Sequence, residues 1–135
     1  VVRHKWFVFV ECCKLGVPLR GVLHDLSKFL PDEWFPYAEY FYGKSNCVEA
    51  FDLAWLKHQR RSKHHWQYWV LREDEGTTKV FPMPLKYAKE MLADWHGAGR
   101  AITGKDNTPE WYLKNRHKMI LHDSTREWIE KQLLN

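Results

Sequence analysis

His24 and Asp25 stand side by side in apolar sequence, in the run His24-Asp25-Leu26-Ser27-Lys28. A neighbouring imidazole and carboxylate offer a nitrogen and an oxygen ligand from one point on the chain, which suits a borderline divalent metal. One such doublet is common by chance. It gains weight from other ligand-type residues on or near apolar helix faces: His4 upstream, and His58, His64, His65 and Asp94 downstream. Asp94 shares its expected face with Tyr87, Met91 and Trp95, where an ionised carboxylate is costly to bury unless paired or metal-bound. Taken alone it reads as the partner of an Arg, a Lys or a Trp indole. Beside this many imidazoles, metal ligation is the stronger reading.

His58 repeats with Phe51, Ala54 and Trp55 at helical spacing and is expected to point inward. His4 lies beside the apolar stripe of the first helix rather than at its centre. On a helix His64 and His65 would diverge by about 100°, so one of the two is expected to face the site, and the sequence does not say which. The other is free to bind substrate or a second metal. Three further groups read as structural or solvated: His122-Asp123 lies just before a capping sequence, His96 should face away from Asp94, and His117 sits among Asn115, Arg116 and Lys118.

The elements that must position these residues are helical. Apolar periodicity predicts helices over 2–14, 19–29, 48–60 and 85–98, with a short one over 32–42 broken by Pro36. Gly16 and Pro18 stop the first, Pro31 the second, and Gly97 to Gly99 the fourth. Residues 73–78 read as a loop, and Val80-Phe81 as a short extended piece. Thr108-Pro109-Glu110 resembles an N-cap followed by proline at the first helical position. Ser124 and Glu127 form a capping-box pattern for a last helix to about residue 134. No repeat or linker interrupts this all-α pattern.

At 135 residues and 44% hydrophobic content the chain can bury a core of its own, and its 21 aromatic residues are spread along the whole length. A net charge of +4 with scattered basic residues suits an anionic substrate better than a nucleic-acid surface. The exception is the cluster Arg60, Arg61 and Lys63, of which Arg60 and Arg61 are candidate substrate contacts. The three cysteines show no zinc spacing, so a reduced, cytoplasmic setting is expected. No stretch approaches the ~20 apolar residues of a membrane span. The opening sequence lacks the features of a secretory leader, and a start at Val1 rather than Met suggests further residues before it.

The ordered set His4, His24-Asp25, His58, His64-His65 and Asp94 resembles the HD superfamily of metal-dependent phosphohydrolases. The likeness covers about residues 4–98. HDLSKF and HHWQYW resemble in addition an uncharacterised phage and bacterial branch. The resemblance implies one compact helical bundle over 1–135, with C-terminal helices at about 109–134. It implies that His4, His24, Asp25 and Asp94 bind a first metal. His58 with His64 or His65 would bind a second, bridged by Asp25. Iron or manganese is expected foremost, with cobalt, nickel or zinc as substitutes. Lys28 matches the family's His-Asp-x-x-Lys form, which gives Lys28 and Asp25 catalytic roles and makes Lys28 a substrate contact, beside Arg60 and Arg61 of the basic cluster. The implied activity is hydrolysis of a nucleotide or other small phosphorylated substrate by a metal-activated water. Two alternatives remain: a dinuclear iron oxygenase of the same superfamily, and a non-enzymatic nucleic-acid binder using Arg60, Arg61, Lys63 and nearby aromatics.

Overall fold

The computed structural model describes residues 2–31, 33, 34, 36, 38 and 48–134. Six α-helices are described: α1 (Val2–Lys14), α2 (Pro18–Leu23), α3 (Val48–Arg61), α4 (Leu85–Thr103), α5 (Thr108–Asn115) and α6 (Asp123–Leu134). Short 3-10 turns follow α2, α3 and α5, at Leu26–Phe29, Trp66–Trp69 and Arg116–Lys118. The chain is an all-α domain, and among the described residues no helix is long and apolar enough to cross a membrane. The helix expected over 32–42 falls mostly outside the described residues.

Among the described residues the strands form one small antiparallel hairpin, β1 (Val70–Arg72) against β2 (Thr78–Val80), with Val70 opposite Val80. Its turn carries the expected loop over 73–78. The expected extended piece at Val80-Phe81 overlaps the end of β2, whereas β1 escaped the periodicity reading because a three-residue strand is too short to show alternation.

Helix α4 is the central element. Met91 and Leu92 face α5 and α6, where they meet Tyr112, Ile129 and Leu133 in the main core. Ala93 turns to the other side and packs on Val8 and Cys12 of α1. A third stripe of α4, Glu90 and Asp94 one turn apart, is neither apolar nor solvent-facing. It is the stripe that serves the site.

α4 runs on to Thr103 and is closed by Gly104 at φ 77°, a left-handed conformation that only glycine adopts without strain. The stop expected at Gly97 to Gly99 was therefore misplaced. Gly97 is there for close approach: a Cβ on it would lie 2.6 Å from Val8 Cγ2 and 2.9 Å from the Val8 backbone nitrogen. The missing side chain lets α1 lie directly on α4.

Two expected caps are corrected as well. Thr108 is already helical, and the cap comes from Asp106, whose Oδ1 accepts the Thr108 N–H at 3.2 Å and its hydroxyl at 2.7 Å. At α6 the imidazole of His122 accepts the Ser124 N–H at 3.2 Å. Glu127, the expected capping-box partner, pairs forward with Lys131.

Candidate metal centre

The helix expected over 19–29 breaks at the doublet. α2 ends at Leu23, His24 is extended, and Asp25 takes a positive φ of 55°. Asp tolerates this left-handed region better than most residues. Lys5 of α1 donates to the carbonyls of Val22 at 2.7 Å and His24 at 2.9 Å, satisfying acceptors that a helix end leaves without intrahelical partners. The break turns His24 and Asp25 inward, where both are buried. Lys28 follows on the 3-10 turn and still reaches Asp25, with Nζ 3.0 Å from Oδ2.

Two groups of ligand-type atoms meet at Asp25, each with its members' donor atoms within 4.8 Å of one another. The first is His4, His24, Asp25 and Asp94. Within it His4 Nε2 lies 2.7 Å from Asp94 Oδ1, and His24 Nε2 lies 3.1 Å from Asp25 Oδ2 and 3.3 Å from Asp94 Oδ1. The second is Asp25, His58, His64 and His65, with His58 Nε2 and His64 Nε2 each 3.1 Å from Asp25 Oδ1. The two oxygens of Asp25 thus serve different groups.

The donor set fits a cation. Asp25 Oδ1 and the Nε2 atoms of His24, His64 and His65 are buried without a hydrogen-bond partner, despite their closeness. Each such atom costs on the order of 1–3 kcal/mol when nothing satisfies it. Here they converge, an arrangement that a metal ion relieves.

The opposite ring nitrogens are held firmly. Glu90 Oε2 accepts from His24 Nδ1 at 2.9 Å and His64 Nδ1 at 2.8 Å, and Glu33 Oε1 accepts from His58 Nδ1 at 2.8 Å. Carboxylates placed so keep the proton on Nδ1 and leave the Nε2 lone pair facing inward. The two acids are themselves anchored, Glu90 by Arg20 Nε at 2.8 Å and Glu33 by Arg61 Nη1 at 3.0 Å. A third grouping, His24, His64 and Glu90, is this brace seen from its far side.

Electrostatics follow the same plan. Burial disfavours charge on Asp25 and Asp94, but His24 outweighs it and holds both carboxyls well below the usual range. Burial likewise opposes the His24 imidazolium, and Asp25 and Asp94 hold its pKa well above the ordinary value. Burial opposes charge on His64 too, but the nearby Asp25 and Glu90 carboxylates outweigh it and raise the pKa to about 9. Burial, then the charge of His64, pushes His65 down to about 3, so it stays neutral. Ligation needs neutral imidazoles, so metal binding at these residues releases protons. Burial pushes the Cys12 thiol up to about 12, and Cys12 belongs to none of the ligand groups found among the described residues.

All seven residues expected as metal ligands come together. His64 and His65 both face the site because α3 ends at Arg61 and the pair sits in a turn. The divergence that would have turned one of them away applies only on a helix. Arg61 lines a cleft of about 320 Å³ with Arg20, Asp25, Lys63, His64 and Tyr87. Arg60, an expected substrate contact, is exposed and does not line it. Of the groups read as structural, His96 bonds Asp106 at 2.7 Å, His117 is exposed, and His122 caps α6. Glu33, Glu90, Arg20 and Lys5 were missed. Glu90 was legible, since it lies four residues before Asp94 and so one turn away on the same face.

A family model matches residues 1–135, and its description is a family of unknown function, DUF5662. No curated protein and no solved structure matches the chain.

Proposed function

We propose that this chain, which belongs to the DUF5662 family of unknown function, is a metal-dependent phosphohydrolase acting on a small phosphorylated substrate. The observation that carries this reading is the meeting of two ligand groups at Asp25, with inward donors lacking hydrogen-bond partners, beside a cleft lined by Arg20, Arg61 and Lys63. The resemblance of His4, His24-Asp25 and Asp94 to the HD superfamily supports it. His4, His24, Asp25 and Asp94 would hold one divalent metal, and Asp25, His58, His64 and His65 a second, with iron or manganese favoured by the nitrogen and oxygen donors. Such ions supply a water of lowered pKa and positive charge opposite the phosphoryl oxygens.

The chain's own residues prepare the rest. Glu90 and Glu33 fix the imidazole protons on Nδ1, so that the Nε2 lone pairs point inward. Lys28 steadies the Oδ2 side of Asp25 and brings a cation beside the reacting group. Trp55 packs on His58 and edge-on against His65, with centroids 5.9 and 5.1 Å away, shielding the second group from water. The same ligands would serve a dinuclear iron oxygenase, and the cations of the cleft are what favour phosphate over dioxygen. Arg61 is engaged with Glu33, which weakens the nucleic-acid reading of the Arg60, Arg61 and Lys63 cluster.

The test is a phosphate-ester panel on protein loaded with Mn²⁺, Fe²⁺ or Co²⁺, run beside oxygen-uptake measurements and elemental analysis. Metal-dependent phosphate release that is lost in Asp25→Asn is the expected result. Absence of bound metal, or oxygen uptake without phosphate release, would overturn the reading.

A further inference from the structure

The cleft beside Asp25 and His64 has one phenol ring in its lining, Tyr87, and three cations surround that ring, Arg20 and Lys63 from the lining and Lys86 from the exposed surface next to it. Arg20 Cζ lies 5.1 Å from the ring centroid, Lys63 Nζ 5.8 Å and Lys86 Nζ 5.0 Å. All three are within the reach of a cation–π contact. Three positive groups around one ring repel one another unless an anion joins them.

Their compensation is uneven. Arg20 gives its Nε to Glu90. Among the described residues no carboxylate lies at ion-pair distance from Lys63 or Lys86. Lys63 is also well placed with respect to the metal ligands. It directly precedes His64, and its carbonyl accepts the Trp69 indole N–H at 2.8 Å. Lys86 and Tyr87 lie on the first turn of α4, one turn before Glu90.

We infer that the substrate carries a second anionic group, bound by Lys63, Lys86 and Arg20 around Tyr87 while its phosphoryl group lies at Asp25 and His64. The inference rests on the phosphohydrolase reading and narrows its substrate class to small doubly anionic phosphate esters. A nucleoside monophosphate fits less well. Nucleobases are held by stacking on open aromatic faces, and the ring that this cleft offers is ringed by cations.

Calorimetric titration of the metal-loaded protein with orthophosphate, fructose 6-phosphate, fructose 1,6-bisphosphate and AMP tests this. Orthophosphate should bind, and the bisphosphate should bind about tenfold or more tighter than the monophosphate, as charge-assisted contacts give. That preference should weaken with added salt. In K63M/K86M, which keeps both stems on an exposed surface, the bisphosphate should fall to the affinity of the monophosphate, with metal content and melting temperature retained. Equal binding of the two sugar phosphates, a preference that survives in K63M/K86M, or AMP binding tighter than the bisphosphate would each overturn the inference. Failure of orthophosphate to bind the metal-loaded wild type would overturn the phosphohydrolase reading itself, and this inference with it.

Discussion

Glu90→Gln is a sharp test of the candidate centre because it changes charge and donor pattern without changing shape. Glu90 is 1% exposed and bonds three donors: His24 Nδ1 and His64 Nδ1 on one oxygen, and Arg20 Nε on the other. A glutamine has one acceptor oxygen. If it faces the imidazoles, the amide N–H₂ meets Arg20, donor against donor. If it faces Arg20, the imidazoles must move their protons to Nε2, where a metal needs a lone pair. One charge-assisted bond is lost either way, and Arg20 keeps its charge without a carboxylate. Together these amount to about 3 kcal/mol. For a chain of this size, at about 4 °C per kcal/mol, that is a fall in Tm of roughly 12 °C. Metal affinity should fall roughly 10- to 100-fold, as for other partners of ligating histidines. Since Glu90 holds a histidine of each candidate group, metal binding at both proposed sites should weaken together. Competition with a chromophoric chelator gives the affinities, and scanning calorimetry gives the Tm. A folded Glu90→Gln protein with wild-type metal affinity would refute the reasoning.

Three other outcomes are expected. Lys28→Met should lower phosphate-ester turnover about 100-fold or more, on the ~3 kcal/mol scale of a single electrostatic stabiliser, with metal content little changed; wild-type turnover would place Lys28 outside the chemistry. Gly97→Ala should force α1 off α4 and cost about 1–3 kcal/mol, weakening metal binding at the proposed group that includes His4 and Asp94; thermal melts and metal stoichiometry read both effects, and an unchanged melt would contradict the close approach of Val8. Asp106→Ala removes the cap of α5 and should cost about 1 kcal/mol at neutral pH. Burial opposes charge on Asp106, but its bonds from Thr108 and His96 hold the carboxyl below its ordinary pKa. That stability is present above the unfolded-state pKa and lost as pH falls through the lowered one, so urea denaturation of wild type and variant should converge in acid and stay apart at pH 7.

What was legible in the sequence is what periodicity and residue type encode. α1 and α3 have their expected spans to within a residue, with His58 on the inner face, and the candidate ligand residues were named by their chemistry. What was hidden is what the rest of the molecule imposes. Leu19, Val22, Leu23, Leu26 and Phe29 continue a helical stripe straight through His24-Asp25, and the break there is braced from another helix, by Lys5 on the carbonyls of Val22 and His24. Gly97 looked like a stop because glycine marks a helix end and a close helix contact alike. Glu33 offered no local signal, since an acid near a helix reads as solvated until the imidazole it serves is seen.

Helix α1 carries three consecutive duties in a short span: His4 as a candidate ligand, Lys5 on the carbonyls of the doublet, and Val8 seated against Gly97. It therefore acts as a ruler whose phase matters more than its composition. One residue inserted between Lys5 and Val8 would leave Val8 in its seat and swing His4 and Lys5 about 100° around the axis, withdrawing a ligand and a brace in one step. Many substitutions on the outer side of this helix should be tolerated, whereas length changes within that interval should not.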